Sequence, residues 1–271
     1  MRQNRFNHSS YSNPFSYSLY PVLYPGKRIN YVKQLREIIE KQEALKETFI
    51  VFNMKLSSYG WIATDDLDVF LMEKAIELFD SKGLGLAENF LCDYLSEEYL
   101  ENTIKRMNAI WVFKDRETLI RLAAKDHLAG RYHASVPVII SQIDGLIHDI
   151  ADQSFFRNGK GADVFQHKSR ITGSKHSLDS LSKNMSTNRN TTTSNPITIP
   201  YRHGIMHGRD LNYNNKLVSA KCFYCLFAIR PWALFIQQNE LLKLQGKEFV
   251  NIPNFKIGIR LKDYLNKLME A

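Results

Sequence analysis

The sequence predicts an all-α protein, and three observations lead to this fold class. Apolar residues recur at three- and four-residue spacing along most of the chain, as they do on the buried face of an amphipathic helix. Glycines and acidic side chains stand where such stretches end and begin. Two stretches, residues 131–152 and 214–244, are so apolar that their helices must be largely buried. With 271 residues, 44% of them apolar, the chain can bury a sizeable core.

The first part of the chain is predicted to be a polar arm followed by a helical region. Residues 1–27 are rich in turn formers dotted with aromatic side chains, which is typical of a flexible arm. A helical pattern begins at Ile29, with apolar residues at Val32 and Ile39 among others, and continues to about Glu47. The apolar run FIVFNMKLSSYGWIAT at 49–64 fits either a strand or an extended connector. We expect residues 28–113 to form a helical N-terminal region.

Several helices are predicted between this run and residue 130. Thr64, followed by Asp65 and Asp66, looks like a helix start, because acidic side chains in the first turn interact favourably with the helix dipole. Gly83 should end this helix. The same apolar periodicity predicts further helices at residues 87–94, 97–113 and 115–129.

The two most apolar stretches should be helices that pack against each other. Residues 131–152 carry a wide apolar stripe, and Pro137 within it predicts a kink or a later helix start. Residues 214–244 are similarly apolar, with a kink expected at Pro231. A last short helix is expected at residues 261–268.

The composition changes sharply between these two helices. Residues 154–198 are dominated by Ser, Thr, Asn, Lys and Gly, and their few apolar residues show no pattern. A structureless segment of this length is unusual inside a compact domain. We therefore expect a disordered polar insertion at about 154–198, within a C-terminal helical domain that spans residues 114–271.

The charge of the chain favours an anionic partner near this insertion. Residues 154–210 hold nine Lys or Arg and three Asp or Glu, which is +6 of the total net charge of +8. Such a concentration steers anions towards one part of a protein. Three cysteines are too few and too uneven for a disulfide framework, and the N-terminus lacks the continuous apolar stretch of a signal peptide. The most apolar segment, 222–236, is shorter than a membrane span. We expect a cytoplasmic protein without membrane contact.

The stretch at 199–210, IPYRHGIMHGRD, carries the residues that point to chemistry. It packs Arg202, His203, His207 and Arg209 into eight residues. A guanidinium binds phosphate oxygens bidentately, and an imidazole can move a proton near neutral pH. The two glycines within the run remove side-chain bulk, which lets a ligand approach the backbone. These residue types in one place suit a phosphodiester substrate.

The run Arg202-His203-Gly204-Ile205-Met206-His207 resembles the Arg, polar residue, spacer, His motif of HEPN domains. Two further stretches, GWIAT at 60–64 and GRYHASVPVIISQIDGL at 130–146, look like parts of uncharacterised bacterial proteins with HEPN-like C-termini. The resemblance touches roughly residues 60–240. It implies a HEPN-like helical bundle in the C-terminal domain, after the helical N-terminal region.

The resemblance also implies a function, because many HEPN domains are metal-independent endoribonucleases. Arg202 and His207 would be the catalytic residues, with His207 as general base or acid and Arg202 holding the phosphate. His203 and Arg209 would bind the substrate, and Asp144 would support the site. The RNA 2′-OH would attack the adjacent phosphorus and leave a 2′,3′-cyclic phosphate and a 5′-OH. HEPN domains commonly dimerise, so we expect a homodimer, in phage defence or with an antitoxin protein, and without a cofactor.

Other interpretations of the same residues stay open. The motif also occurs in non-catalytic HEPN modules that bind RNA or protein, and the Arg–His cluster can be part of a helical scaffold. His203 and His207 are spaced like a zinc pair, but Gly204 stands where the zincin pattern has Glu. Cys222-x-x-Cys225 lies in an apolar stretch and fits a pair of core cysteines. RNGKG at 157–161 is not a complete phosphate loop.

Overall fold

The computed structural model describes Lys33 and residues 47–156, 178–252 and 255–270. The chain divides into two units, Met1–Ala44 and Leu45–Ala271, and every described residue except Lys33 lies in the second. These residues are mainly helical, and no strand occurs among them beyond one isolated parallel bridge between Thr193 and Asp210. The all-α prediction is confirmed for this part of the chain. The arm predicted at 1–27 and most of the helix predicted after it lie outside the described residues.

The run that was predicted to be a strand or connector is largely helical. Residues 47–56 form α1, and a 3₁₀ turn at Ser57–Tyr59 follows. Phe49, Phe52 and Leu56 are buried at helical spacing. The prediction was wrong here because neighbouring apolar residues hide this periodicity in the sequence.

Four helices lead to the middle of the chain: α2 (Val69–Lys82), α3 (Leu84–Tyr94), α4 (Glu97–Met107) and α5 (Glu117–Leu128). The first begins later than the sequence indicated, since Asp68 is its N-cap and accepts a hydrogen bond from the Phe70 amide at 2.7 Å. Asp65 and Asp66 instead pair with Arg230. Gly83 ends α2 as predicted.

The helix predicted at 131–152 is α6 (Tyr132–Ala151), and it continues through Pro137. Proline lacks the amide proton that would bond to the carbonyl four residues earlier, at His133. The Tyr213 hydroxyl donates to that carbonyl instead, at 3.2 Å. The helix therefore does not start later than its apolar stripe, and the lost backbone bond is replaced from another part of the chain.

The second apolar stretch is two helices, α9 (Lys216–Ala228) and α10 (Arg230–Leu244), with Pro231 in the first turn of α10. The sequence predicted one helix kinked at Pro231, whereas the structure separates two helices at Ile229, two residues before the proline. The predicted packing of α6 against α9 is confirmed. Cys222 and Cys225 are buried in α9. By length and composition Lys216–Leu244 would pass for a membrane span, but it is mostly buried inside the protein, and buried core helices of soluble proteins have the same length and composition.

Part of the predicted disordered insertion is packed into the fold. Leu178–Met185 form α7, whose Leu178, Leu181 and Met185 are buried, as is Phe155 before it. Three apolar residues at helical spacing are enough to seat a two-turn helix, although Ser and Asn dominate its surroundings. Residues 157–177 lie outside the described part of the chain.

The remaining named helices of the described residues are the five-residue α8 (Arg202–Met206) and α11 (Ile259–Glu270), the latter close to the helix predicted at 261–268. Buried residues from both sides of the predicted domain boundary at 113/114 belong to one hydrophobic cluster. For example, α3 packs against α9 and α11 packs against the 3₁₀ turn at Trp111–Phe113. The regions predicted as 28–113 and 114–271 thus share one core among the described residues.

Candidate functional site

The Arg–His motif lies on a short helix and the turn after it. Arg202 is the first residue of α8, and His207 follows its last residue, Met206. Gly208 adopts a left-handed conformation with φ of 65°, which turns the chain away from the helix axis. A loop then separates the motif from Lys216, where α9 begins. The tight turn keeps His207 beside the residues at the start of α8.

The two imidazoles of the motif are in contact. The ring centroids of His203 and His207 are 4.5 Å apart, and the ring planes are inclined by 49°. His207 is exposed, whereas His203 is half-buried and its Nδ1 is buried without a hydrogen-bond partner. Burial, with the charges of His207, Arg202 and Arg209, lowers the pKa of His203. The pair therefore brings a partly buried imidazole next to an accessible one.

Arg202 faces the helix α6. Its Nη2 lies 3.9 Å from Oδ2 of Asp144, and its guanidinium lies 5.9 Å from the ring centroid of Phe156. The other oxygen of Asp144 accepts hydrogen bonds from Ser154 Oγ at 2.6 Å and from the Phe155 amide at 3.1 Å. Asp144 is thus held by the chain that follows α6, and it lies beside Arg202.

Arg209 is only partly available to a ligand. Its Nη1 donates to the backbone carbonyl of Arg189 at 2.6 Å, and the residue is half-buried. Its charge nevertheless contributes to the lowered pKa of His203. All five residues predicted for the site thus lie in one region, with Arg209 partly committed to holding the fold.

The sequence did not predict the ion pair between Arg189 and Asp210, which packs against Gly204 of the motif. Asp210 is completely buried, and Arg189 donates to both of its carboxylate oxygens. Asp210 follows Arg209 directly and was visible in the motif, but Arg189 is 21 residues away in the segment predicted to be disordered. No local signal in the sequence pairs the two.

The GWIAT stretch and α9 form a buried network beside the site. Lys221 Nζ donates to Glu88 Oε1 and to the carbonyl of Thr198, both at 2.7 Å. Trp61 Nε1 donates to the same carboxylate oxygen at 3.2 Å. Burial lowers the pKa of Lys221. The network anchors the chain at Thr198, four residues before Arg202.

A second buried polar cluster lies between α5, α6 and α9. His127 Nδ1 is 2.8 Å from Ser219 Oγ, which is 3.0 Å from Ser135 Oγ. Burial, with a smaller effect from the charge of Lys216, lowers the pKa of His127 to about 4. All three polar residues are almost fully buried, so they are out of reach of a substrate.

The remaining sequence candidates do not form sites in the part of the chain that the structure describes. Cys222 and Cys225 are fully buried, and burial raises the pKa of both thiols. Among the described residues, no three His, Cys, Asp or Glu side chains are grouped so that they could hold a metal ion. RNGKG at 157–161 lies outside the described residues.

Comparison with known proteins gives no relative for this chain. No protein-family model matches the sequence, and no curated protein or solved structure shows significant similarity to it.

Proposed function

We propose that the chain is a metal-independent endoribonuclease built on a HEPN-like helical bundle. The observation that carries the proposal is the contact between the imidazoles of His203 and the exposed His207, with the partly exposed Arg202 on the same short helix. The resemblance of the motif to HEPN domains adds the reaction class. The all-α fold is consistent with such a bundle.

The proposed reaction needs one group to remove a proton and one group to stabilise charge. An imidazole takes the proton of the RNA 2′-OH, and the 2′-oxygen forms a bond to phosphorus as the bond to the 5′-oxygen breaks. The leaving 5′-oxygen takes up a proton from water, and the imidazolium returns its proton to the solvent, so that the products are a 5′-OH and a 2′,3′-cyclic phosphate. Arg202 binds the phosphate oxygens as negative charge develops on them. We assign the proton transfer to His207, with His203 and Arg209 in substrate binding.

The biological setting follows from the same resemblance. We propose a cytoplasmic homodimer that acts on RNA in phage defence or in a toxin–antitoxin pair, with an antitoxin protein as its partner. The excess of positive charge in residues 154–210 of the sequence, the stretch that contains the motif, favours an anionic partner such as RNA.

A cleavage assay tests the proposed activity. Wild-type protein is incubated with mixed RNA in EDTA, beside Arg202→Ala and His207→Ala. Two matched controls are Arg260→Ala and His148→Ala, which remove an exposed arginine and an exposed histidine from other helices. We expect cleavage by the wild type and both controls, and a loss of about 100-fold or more in each motif variant. The products should carry 2′,3′-cyclic phosphate and 5′-OH ends.

Each other outcome favours a different function. Equal cleavage by the wild type and the motif variants would contradict the assigned site. RNA binding that weakens at high salt, without cleavage, would favour a non-catalytic RNA-binding module. A protein that neither cleaves nor binds RNA would favour a helical scaffold or a protein-binding module.

A further inference from the structure

Arg189 holds the end of the Arg–His motif through a buried carboxylate. Its Nε donates to Oδ1 and Oδ2 of Asp210 at 3.0 and 3.1 Å, and its Nη2 donates to Oδ1 at 2.9 Å. The side chain of Asp210 is 0% exposed, and that of Arg189 is 30% exposed. A buried carboxylate of this kind depends on its partner, because an unpaired charge in the interior is costly.

Asp210 in turn packs against the middle of the motif. A Cβ atom on Gly204 would lie 1.8 Å from Asp210 Oδ2, so only glycine leaves room for the carboxylate. The Gly204 carbonyl accepts hydrogen bonds from the amides of Arg209 and Asp210, at 2.7 and 3.1 Å. The turn that carries His207 is closed by these contacts.

The same arginine also touches the start of the motif. Its guanidinium lies 4.7 Å from the ring centroid of Tyr201, the residue before Arg202. The Arg189 carbonyl receives the hydrogen bond from Arg209. Beyond it, the Thr193 amide donates to the Arg209 carbonyl at 2.8 Å, and the Leu211 amide donates to the Thr193 carbonyl at 3.0 Å. Residues 189–193 therefore run along the motif and contact it at its start, next to Tyr201, and at its end, at Arg209 and Leu211.

We propose that Arg189 is a positioning residue for the ribonuclease site, an inference that rests on the proposed function. By holding Asp210 against Gly204 and stacking on Tyr201, it fixes the spacing between Arg202 and the two imidazoles. Without it Asp210 leaves its buried position, the turn at 206–209 loosens, and the contact between His203 and His207 is lost. Small displacements of catalytic groups cost about 100-fold in rate.

Steady-state kinetics with Arg189→Ala, Arg189→Lys and Arg260→Ala tests the effect on the reaction. Lysine keeps the charge of Arg189 but cannot form the bidentate fork. Arg260→Ala removes another arginine–aspartate pair, to Asp115 in the 3₁₀ turn region before α5. We expect kcat to fall about 100-fold in Arg189→Ala, with a smaller rise in KM because His203 also binds the substrate, an intermediate loss of kcat in Arg189→Lys and wild-type kinetics in Arg260→Ala.

Histidine NMR gives a second readout that does not need catalysis. In protein labelled with ¹³C-histidine, the ring signals of His203 and His207 are followed through a pH titration and are assigned with His203→Gln and His207→Gln. In Arg189→Ala we expect the His203 pKa to rise towards its ordinary value. The part of the chemical shifts that depends on contact between the two rings should be lost. Gly204→Ala, which displaces Asp210 from the other side, should produce the same change, while Arg260→Ala should leave the titration as in the wild type.

The two readouts separate this inference from the proposed function. If the wild type does not cleave RNA, the ribonuclease proposal fails, and the histidine titrations alone decide whether Arg189 holds the pair. If Arg189→Ala retains both wild-type kcat and wild-type histidine titrations, the inference is wrong. If circular dichroism shows that Arg189→Ala does not fold, both measurements are made on Arg189→Lys and are judged by the same criteria.

Discussion

The guanidinium of Arg116 crosses the helix α6 directly over the α-carbon of Gly145. A Cβ atom at that position would lie 2.4 Å from Arg116 Nη1. Arg116 uses this path to reach Asp149, with Nη2 and Oδ2 2.5 Å apart, and Gln142, with Nη1 and Oε1 3.0 Å apart. The absence of a side chain at one helix position thus permits an ion pair that ties the start of α5 to the second half of α6.

This relationship predicts that Gly145→Ala destabilises the protein only while Arg116 is present. The methyl group should displace the guanidinium and leave the mostly buried Asp149 unpaired, a net loss of about 1–2 kcal/mol in the free energy of unfolding. In an Arg116→Ala background the same change should stabilise by about 1 kcal/mol, because alanine favours a helix over glycine. Urea unfolding of the four proteins in the cycle measures both values. A loss of equal size in both backgrounds would contradict the contact.

A second prediction concerns the buried pair of Lys221 and Glu88. Lys221→Met should lower the free energy of unfolding by about 3–5 kcal/mol, because Glu88 remains as an unpaired buried charge. The double variant Lys221→Met/Glu88→Gln should recover roughly half of this loss, since the glutamine oxygen still accepts from Trp61 without carrying a charge. Chemical denaturation of the single and double variants decides the point. A double variant less stable than Lys221→Met would show that Glu88 contributes independently of the lysine.

A third prediction follows from the buried imidazole of His127. Its pKa is lowered to about 4 in the folded protein, against about 6.5 when unfolded. As the pH falls, His127 of the unfolded state therefore binds a proton before His127 of the folded state does. The contribution of the neutral imidazole to the free energy of unfolding is complete above pH 6.5 and is lost as the pH falls towards 4. Between pH 6.5 and 5 the free energy of unfolding should decrease by about 2 kcal/mol from this group.

Urea unfolding at pH 7 and pH 5 measures this effect in the wild type, His127→Gln and His148→Gln. His127→Gln should lose about 2 kcal/mol less than the wild type over this range. His148 is exposed on α6, so its variant should behave like the wild type. If the free energy of unfolding depends on pH in the same way in all three proteins, groups other than His127 cause the acid sensitivity.

A fourth prediction concerns Asp144, under the proposed ribonuclease function. Its carboxylate lies 3.9 Å from Arg202, and both side chains are about a third exposed or less. Pairs of this exposure contribute about 0.2–1 kcal/mol, so Asp144→Asn should lower kcat by at most about five-fold. This is far less than the loss expected for Arg202→Ala. Asp152→Asn at the end of α6 is the matched control, and a loss of 100-fold or more in Asp144→Asn would require direct participation of the carboxylate.

The helices that the sequence predicted best are those with long, regular apolar stripes. Residues 131–152 and 214–244 were assigned nearly to their ends, because a stripe that continues over several turns fits no other element. Residues 49–56 were misread because their apolar residues are too dense to show a period. Residues 178–185 were misread for the opposite reason, since three buried residues stand among polar ones.

The residues of the candidate site could likewise be predicted only where they are close together in the sequence. Arg202, His203 and His207 lie within six residues, and their proximity follows from one turn of helix. Arg189 and Asp144 contact residues of the motif, and Lys221 holds the chain just before it at Thr198; all three come from other parts of the chain. A single sequence holds no record of such long-range pairs, so they emerged only from the structure.

The three cysteines, all enclosed in the core, make the folded protein nearly inert towards thiol reagents. Cys92, Cys222 and Cys225 are buried, and burial raises the pKa of Cys92 to about 12. Since the thiolate is the species that reacts with alkylating agents, modification has to wait for the structure to open. A single cysteine introduced on the exposed face of α8 can therefore carry a fluorophore or spin label without removing the native ones. The rate at which the native thiols are alkylated, followed by mass spectrometry, then reports how often the structure unfolds.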